Sequence, residues 1–355
     1  MSKVKQSNFE LVKIMAMLMI VCHHLITQNA YNIDTELIGL NGSRVFLQLI
    51  GNHAFIGNNL FFMVSAWFLC TKTETFQLKK TVSRIWSMEK VMLFYSIGIP
   101  LLFIFLPASI GGGNALNIKS FFPICMSRWW YPTAYALFLV FYPFYQQGLQ
   151  GLQEKELRNL IIAMACLWTI PTIIPVNLML GAGNTTCFFM LYALIFYVRK
   201  FQPAWASNPK VYKWMCLGGY GIAFLSIIAL DVVGMRIKAV NDMACYYIRG
   251  DWRLLPVIIS VGLFLWSTQW KIGYSKIINW MGGLTFAVYL IHMHPQMINL
   301  LFKRIFILQP YVNTPMIVPY TIGVTLLVFM ACALVDQCRK WLYSGIGWLC
   351  SLMRK

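Results

Sequence analysis

The sequence predicts an all-α integral membrane protein, a polytopic helical bundle of about ten transmembrane helices with both termini in the cytoplasm. Two features of composition support this class: of the 355 residues, 59% are hydrophobic and only 11% are charged. Soluble domains average about 25% charged residues. A third observation is that apolar runs long enough to cross a bilayer follow one another along the chain, separated by short polar segments.

Each apolar run is expected to be a helix, because an open strand leaves its backbone unpaired in lipid and the runs lack the alternating pattern of a membrane barrel. They are predicted to form one transmembrane domain, 1–337. An amphipathic tail, 338–355, follows and is predicted to lie at the membrane interface, since tryptophan and leucine are interspersed there with arginine and lysine. The expected spans are 9–27, 52–70, 91–109, 130–146, 159–176, 183–198, 214–234, 254–269, 278–297 and 316–336.

The distribution of lysine and arginine predicts the orientation of a multi-pass protein of the cell membrane. The net charge is +18, and the loops on the side of the N-terminus carry the larger share of the cations, so this side is assigned to the cytoplasm. The same bias accounts for the charge without nucleic acid, because the cations lie in loops and not on one basic arm. Loop 235–253 breaks the pattern: it is assigned outside yet carries several cations, so either it faces substrate or the topology is wrong there.

Four ionisable residues lie in or at the start of the first span: Glu10, Lys13, His23 and His24. A charge at mid-bilayer costs about 2.5–3.5 kcal/mol on insertion scales, so such groups face a protein interior or a watery cavity. With a rise of about 1.5 Å per residue, Lys13 and His24 are about 16 Å apart along the helix. The span is therefore predicted to place a cation near the cytoplasmic face and an imidazole in the outer half.

The five histidines of the chain fall in only three of the expected spans. The predicted topology brings His24 and His292 to a similar depth, and neutral imidazole suits a general base near neutral pH. For His24, catalysis is the favoured interpretation, and a structural hydrogen bond or a metal ligand are the alternatives. No metal is expected, because the HExxH spacing is absent. His23 points about 100° away from its neighbour and is predicted to support or orient it.

Further polar side chains occur within apolar spans. Asn59 and Ser65 lie in the second span, where they either orient substrate or pack between helices. Tyr289 and His292 are three residues apart and share one helical face, so both can reach a common cavity.

Aromatic residues begin the fourth span, among them Trp130 and Tyr135. Tryptophan and tyrosine are enriched where a helix meets the membrane interface, and their rings also stack on sugars. The sequence leaves open whether this cluster is an interfacial belt or part of a substrate site.

Four stretches together resemble the membrane-bound acyltransferase-3 family. ELVKIMAMLMIVCHH is similar to the first helix of that family, in which an arginine is followed after ten residues by a histidine. IGNNLFFMVSAWFL looks like its second-helix signature, WWYPTAYALFLVFYPF resembles its WF-x-x-A-Y segment, and LTFAVYLIH is similar to its late Tyr-Leu-x-His stretch. The resemblance covers most of the chain and makes His24 the catalytic histidine. Lys13 replaces the arginine, and Ala66 stands where the family has glycine.

The resemblance implies transfer of an acyl group, most often acetyl, from cytoplasmic acyl-coenzyme A to a hydroxyl of a cell-envelope glycan or glycolipid. His24 would act as general base or carry the acyl group itself. We expect these residues to serve catalysis: His24, His23, Tyr289 and His292. We expect these to bind substrate: Glu10, Lys13, Asn59, Ser65, Trp130 and Tyr135.

The expected loop 71–90 is strongly basic and would face the cytoplasm. Coenzyme A carries several phosphate charges, so this loop is a suitable binding surface for the donor. A positive-inside bias alone explains its cations as well. The cations expected to bind the donor are Lys79, Lys80, Arg84 and Lys90.

The competing interpretation is a transporter or flippase of a lipid-linked saccharide or small anion, which the lack of an internal repeat disfavours. The sequence leaves open whether the protein is a homo-oligomer.

Overall fold

The computed structural model describes residues 6–37, 39–70, 78–113, 115–175 and 181–352. It is 78% helical, and no strand occurs in these ranges. The prediction of an all-α membrane bundle is confirmed. The physical cause is that a helix pairs its own backbone groups within one apolar segment, as lipid requires.

The helices follow one another with short connections. The first nine are α1 (Ser7–Thr27), α2 (Ile33–Glu36), α3 (Gly42–Gly51), α4 (His53–Leu69), α5 (Leu78–Ile104), α6 (Ile118–Phe121), α7 (Trp130–Gly151), α8 (Glu154–Trp168) and α9 (Asn184–Phe201). The remaining eight are α10 (Ala204–Ser207), α11 (Pro209–Gly234), α12 (Lys238–Asn241), α13 (Leu254–Thr268), α14 (Lys276–Gly282), α15 (Thr285–His292), α16 (Pro295–Leu300) and α17 (Ile317–Leu352).

The ten expected spans fall on α1, α4, α5, α7, α8, α9, α11, α13, α14 with α15, and α17. Within the described ranges, five segments are long and apolar enough to cross a bilayer unaided: Ser7–Thr27, Leu78–Ile104, Glu154–Ile173, Pro209–Gly234 and Ile317–Gly345. Helices such as α4, with 17 residues, are shorter than the usual span of about 20 residues. The count of ten therefore stays a prediction.

Three elements differ from their expected form. The basic stretch expected as loop 71–90 is helical from Leu78 onward, and residues 71–77 lie outside the described ranges. The expected span 278–297 is broken between α14 and α15, and it ends at His292 because Pro295, which lacks a backbone N–H, begins a new helix. α17 runs without interruption to Leu352, so the expected interfacial tail continues this helix, and the boundary at 337 stays a prediction.

Helices α1 and α4 pack side by side in opposite directions at the centre of the bundle. The Phe9 ring lies 5.8 Å from that of Trp67 at one end, and His23 bonds to the Gly51 carbonyl just before α4 at the other. Between them Gly57 faces Ala16, and a Cβ atom added to Gly57 would lie 2.7 Å from the Ala16 carbonyl oxygen. This close approach sets the position of α1, and therefore of His24.

Gly57→Ala is expected to destabilise the protein, because the added methyl group meets rigid backbone. Overpacking of this kind costs about 1–3 kcal/mol. The measurement is the thermal unfolding midpoint in detergent, compared with Gly323→Ala in α17, where an added Cβ would have no atom within 4 Å. Equal midpoints for the two variants would contradict the close packing of α1 on α4.

Candidate active site

A chain of hydrogen bonds links three residues of α1 and α15 inside the bundle. His24 Nδ1 lies 3.0 Å from His292 Nε2, and His292 Nδ1 lies 2.6 Å from the Val288 carbonyl oxygen. The exposed fraction is 7% for His24 and 0% for His292. Two of the predicted catalytic histidines, 268 positions apart in sequence, are thus in direct contact.

This chain determines where the ring protons lie. A carbonyl oxygen only accepts, so His292 Nδ1 carries the proton that is donated to Val288. In neutral His292 the Nε2 atom then has a lone pair and accepts the proton of His24 Nδ1. Neutral His24 is left with an unprotonated Nε2. His24 therefore presents a proton acceptor, and its partner fixes both the tautomer and the orientation of the ring.

Tyr289 lies beside this pair. Its ring centroid is 6.5 Å from that of His24 and 6.1 Å from that of His292. The Tyr289 hydroxyl is buried and makes no hydrogen bond of normal geometry with another described residue. A buried hydroxyl without a good hydrogen bond lowers the stability of the fold, so we expect this group to donate a hydrogen bond to a bound substrate.

Two adjoining apolar cavities lead away from Tyr289. The smaller, of about 10 Å³, is lined by Tyr289 and Asn58, and the larger, of about 160 Å³, by Ser65 and Tyr135. Both cavities are also lined by the same three aromatic side chains: Phe61, Tyr131 and Phe286. Two predicted substrate residues, Ser65 and Tyr135, therefore line a cavity that adjoins the one at Tyr289.

The cations predicted to bind the donor do not all lie on one face of α5. Arg84 lies within electrostatic range of Tyr135, on the side of the larger cavity. Lys90 lines a separate groove between α5 and α17. Six residues along a helix correspond to a rotation of about 240°, which explains why these two side chains face different ways. Lys79 and Lys80 are exposed in the first turn of α5.

Asn59 is used to hold a loop. Its amide nitrogen donates to the Asp251 carbonyl oxygen at 2.8 Å, and the amide nitrogen of Asn58 donates to the Asp251 carboxylate at 3.0 Å. Asp251 belongs to loop 235–253, whose charges the predicted topology did not explain. The loop therefore reaches into the bundle, where the hydrogen bonds from α4 to Asp251 anchor it.

His23 faces a different cavity from the aromatic ones. Its Nδ1 donates to the Gly51 carbonyl, which leaves Nε2 unprotonated in the neutral ring. The side chain lines a polar cavity of about 300 Å³ together with Asn32 and the ion pair Arg249–Asp34, whose closest N–O distance is 3.0 Å. The ring centroids of His23 and His24 are 5.0 Å apart, so His24 is next to a side chain that lines the polar cavity.

Other predicted residues lie away from this centre. Lys13 pairs with Glu10 at 2.7 Å near the start of α1, where Gly282 leaves room for the carboxylate. Trp130 is half-buried and packs on Tyr131, at 5.4 Å between ring centroids. A role in substrate binding stays a prediction for all three.

The remaining histidines do not join the pair. His53 packs against the Tyr220 ring, at 5.3 Å, and His294 accepts a hydrogen bond from Arg128 at 2.6 Å. In the described ranges, no three histidine, cysteine, aspartate or glutamate side chains are grouped as a metal site would need.

Several lining residues were not predicted. They are Phe61, Tyr131 and Phe286 at the aromatic cavities, and Asn32, Asp34 and Arg249 at the polar one. Tyr131 directly follows the predicted Trp130, and Phe286 precedes Tyr289 by three residues, nearly one helical turn, so their places in the sequence were a signal. Asp34 and Arg249 lie 215 positions apart, and their sequence context carries no signal of contact.

Comparison with known proteins gives one family. A family model described as an acyltransferase domain matches residues 6–335, which is nearly the whole chain. No curated protein and no solved structure gives a significant match.

Proposed function

The chain belongs to the acyltransferase-3 family, and on that premise we propose that it moves an acetyl group from cytoplasmic acetyl-coenzyme A to a hydroxyl of a cell-envelope glycan or glycolipid. The protein acts in the cell membrane, and His24 is the general base. The observation that carries this proposal is the hydrogen-bond chain from Val288 through His292 to His24, which leaves an unprotonated Nε2 on His24.

The reaction needs one proton acceptor and one oxyanion donor. His24 Nε2 takes the proton of the acceptor hydroxyl as its oxygen attacks the thioester carbonyl. The carbonyl oxygen becomes an oxyanion, which the buried Tyr289 hydroxyl stabilises. When the C–S bond breaks, the leaving thiolate receives the proton from His24, and the products are an ester and coenzyme A. Asn59 is less suited to this role, because its amide is occupied by Asp251.

The donor approaches through the aromatic cavities. Arg84 lies within electrostatic range of Tyr135, and Lys80, four residues earlier in α5, lies on the same face of the helix. Guanidinium and ammonium groups bind phosphate, so this end suits the nucleotide part of coenzyme A. The apolar lining of the larger cavity, which includes Ser65, suits the acyl end of the thioester arm, and the aromatic side chains shared with the small cavity must move for it to reach Tyr289.

The acceptor occupies the polar cavity at the C-terminal end of α1. A sugar presents several hydroxyl groups, which both donate and accept hydrogen bonds. The Asp34 carboxylate, the Arg249 guanidinium and the Asn32 amide line this cavity and offer matching groups. His23 lies between this cavity and His24 and orients the acceptor hydroxyl.

The proposal is tested with membranes that contain the protein, incubated with acetyl-labelled acetyl-coenzyme A and an envelope glycolipid fraction. We expect label to pass into the glycolipid in an alkali-labile ester. Membranes from cells that lack the protein are the control. Movement of saccharide across the membrane without labelling would instead support a transporter and overturn the proposal.

A further inference from the structure

A groove of about 760 Å³ lies between α5 and α17 and shares no lining residue with the three cavities of the proposed active site. On α5 its lining recurs at Trp86, Lys90, Phe94 and Ile97, a spacing of three to four residues that marks one helical face. The stripe from Trp86 to Gly98 is about 18 Å long at 1.5 Å per residue. The groove therefore follows the length of the helix, as an extended ligand requires.

One end of the groove is basic. Lys90 of α5 lies there with Arg339 and Lys340 of α17. The Asp336 carboxylate accepts a hydrogen bond from Arg339 Nε at 2.6 Å and lies 3.5 Å from Lys340 Nζ. One carboxylate against three cations leaves an excess of positive charge, and the buried Asp336 holds the guanidinium in a fixed position.

The other end is apolar. Ile97 and Gly98 line it, and a Cβ atom added to Gly98 would have no atom within 4 Å. Phe94 lies between the two ends, with its ring 5.9 Å from the Arg339 guanidinium. Trp86 and Tyr343 flank the basic end and are 54% and 50% exposed. Exposed tryptophan and tyrosine mark the level of the lipid headgroups. The predicted topology puts the basic end at the cytoplasmic face and the apolar end toward the bilayer centre.

We propose that this groove binds an acidic phospholipid of the cytoplasmic leaflet, with the phosphate between Lys90, Arg339 and Lys340 and one acyl chain along Phe94, Ile97 and Gly98. Charge complementarity favours an anionic headgroup, since each cation near such a leaflet contributes an attraction. The length of apolar lining below the cations favours a lipid over a soluble phosphate. No lining residue is shared with the aromatic cavities, so the groove is a site separate from that of the acyl donor.

The test uses the full chain purified in detergent, with lipid binding followed by native mass spectrometry for phosphatidylglycerol and phosphatidylcholine. We expect the protein to retain phosphatidylglycerol preferentially, and Lys90→Gln with Lys340→Gln to weaken this binding about tenfold or more. The matched control is Lys271→Gln with Lys276→Gln, which removes two exposed cations at the same end of the bundle and should leave the affinity unchanged.

A second variant tests the apolar end without any change of charge. Gly98→Leu fills open space in the groove and should reduce phosphatidylglycerol binding while the protein remains folded. Equal retention of the two lipids by the wild type, or unchanged binding in the double variant, would overturn the proposal. Displacement of phosphatidylglycerol by coenzyme A that depends on Lys90 and Lys340 would overturn it too, because the groove would then be a nucleotide site.

Discussion

His24→Ala is expected to abolish acyl transfer while the protein stays in the membrane. General-base catalysis contributes about 10²- to 10⁴-fold, so the loss of His24 Nε2 as proton acceptor should lower the rate by on the order of 10³-fold, about 4 kcal/mol of activation free energy. The measurement is ester formation per quantified protein with labelled acetyl-coenzyme A. His24→Gln should be as inactive, because it preserves much of the volume but supplies no base.

The control for this loss is His53→Ala. His53 is also a membrane histidine, but it packs on Tyr220 and touches neither His24 nor His292. Its replacement should therefore change the rate by no more than about threefold, the scale of a change in packing away from the chemistry. Acyl transfer at the wild-type rate by the purified His24→Ala variant would contradict the assignment of His24 as the general base.

His292→Leu is expected to lower kcat by on the order of 10²-fold with little change in the KM for the acyl donor. The reason is that leucine cannot accept the Nδ1 proton of His24, so the base loses the partner that fixes its tautomer. In His292→Gln the side-chain oxygen can accept this proton, and the variant should recover most of the lost kcat. The measurement is steady-state kinetics of the three proteins.

A packing role alone predicts a different result. His292 is fully buried, so either substitution alters the core. If packing were the only role, kcat would follow the thermal midpoint of each variant, and glutamine would show no advantage over leucine at equal stability. Equal loss of kcat in the two variants would therefore contradict the positioning role of His292.

The membrane class and the all-α architecture were determined by the sequence alone. An apolar chain with few charges has no other stable form in lipid, so local composition was sufficient for the class. The spacing of Tyr289 and His292 also predicted correctly that the two share a helical face, because three residues nearly complete one turn. The same reasoning places Arg84 and Lys90 on different faces, which their grouping as one basic loop overlooked.

Only the tertiary structure decided which helix faces meet. In a membrane helix the side chains that contact lipid are as apolar as those that contact protein, so the sequence pattern does not specify how a helix is rotated. For this reason the contact between His24 and His292, the anchoring of Asn59 on Asp251 and the pairing of Asp34 with Arg249 could not be derived from local spacing. One of these contacts, with His292, determined which nitrogen of the His24 ring carries the proton. The sequence led to His24 as the candidate base, and packing between distant helices gave this residue an unprotonated nitrogen.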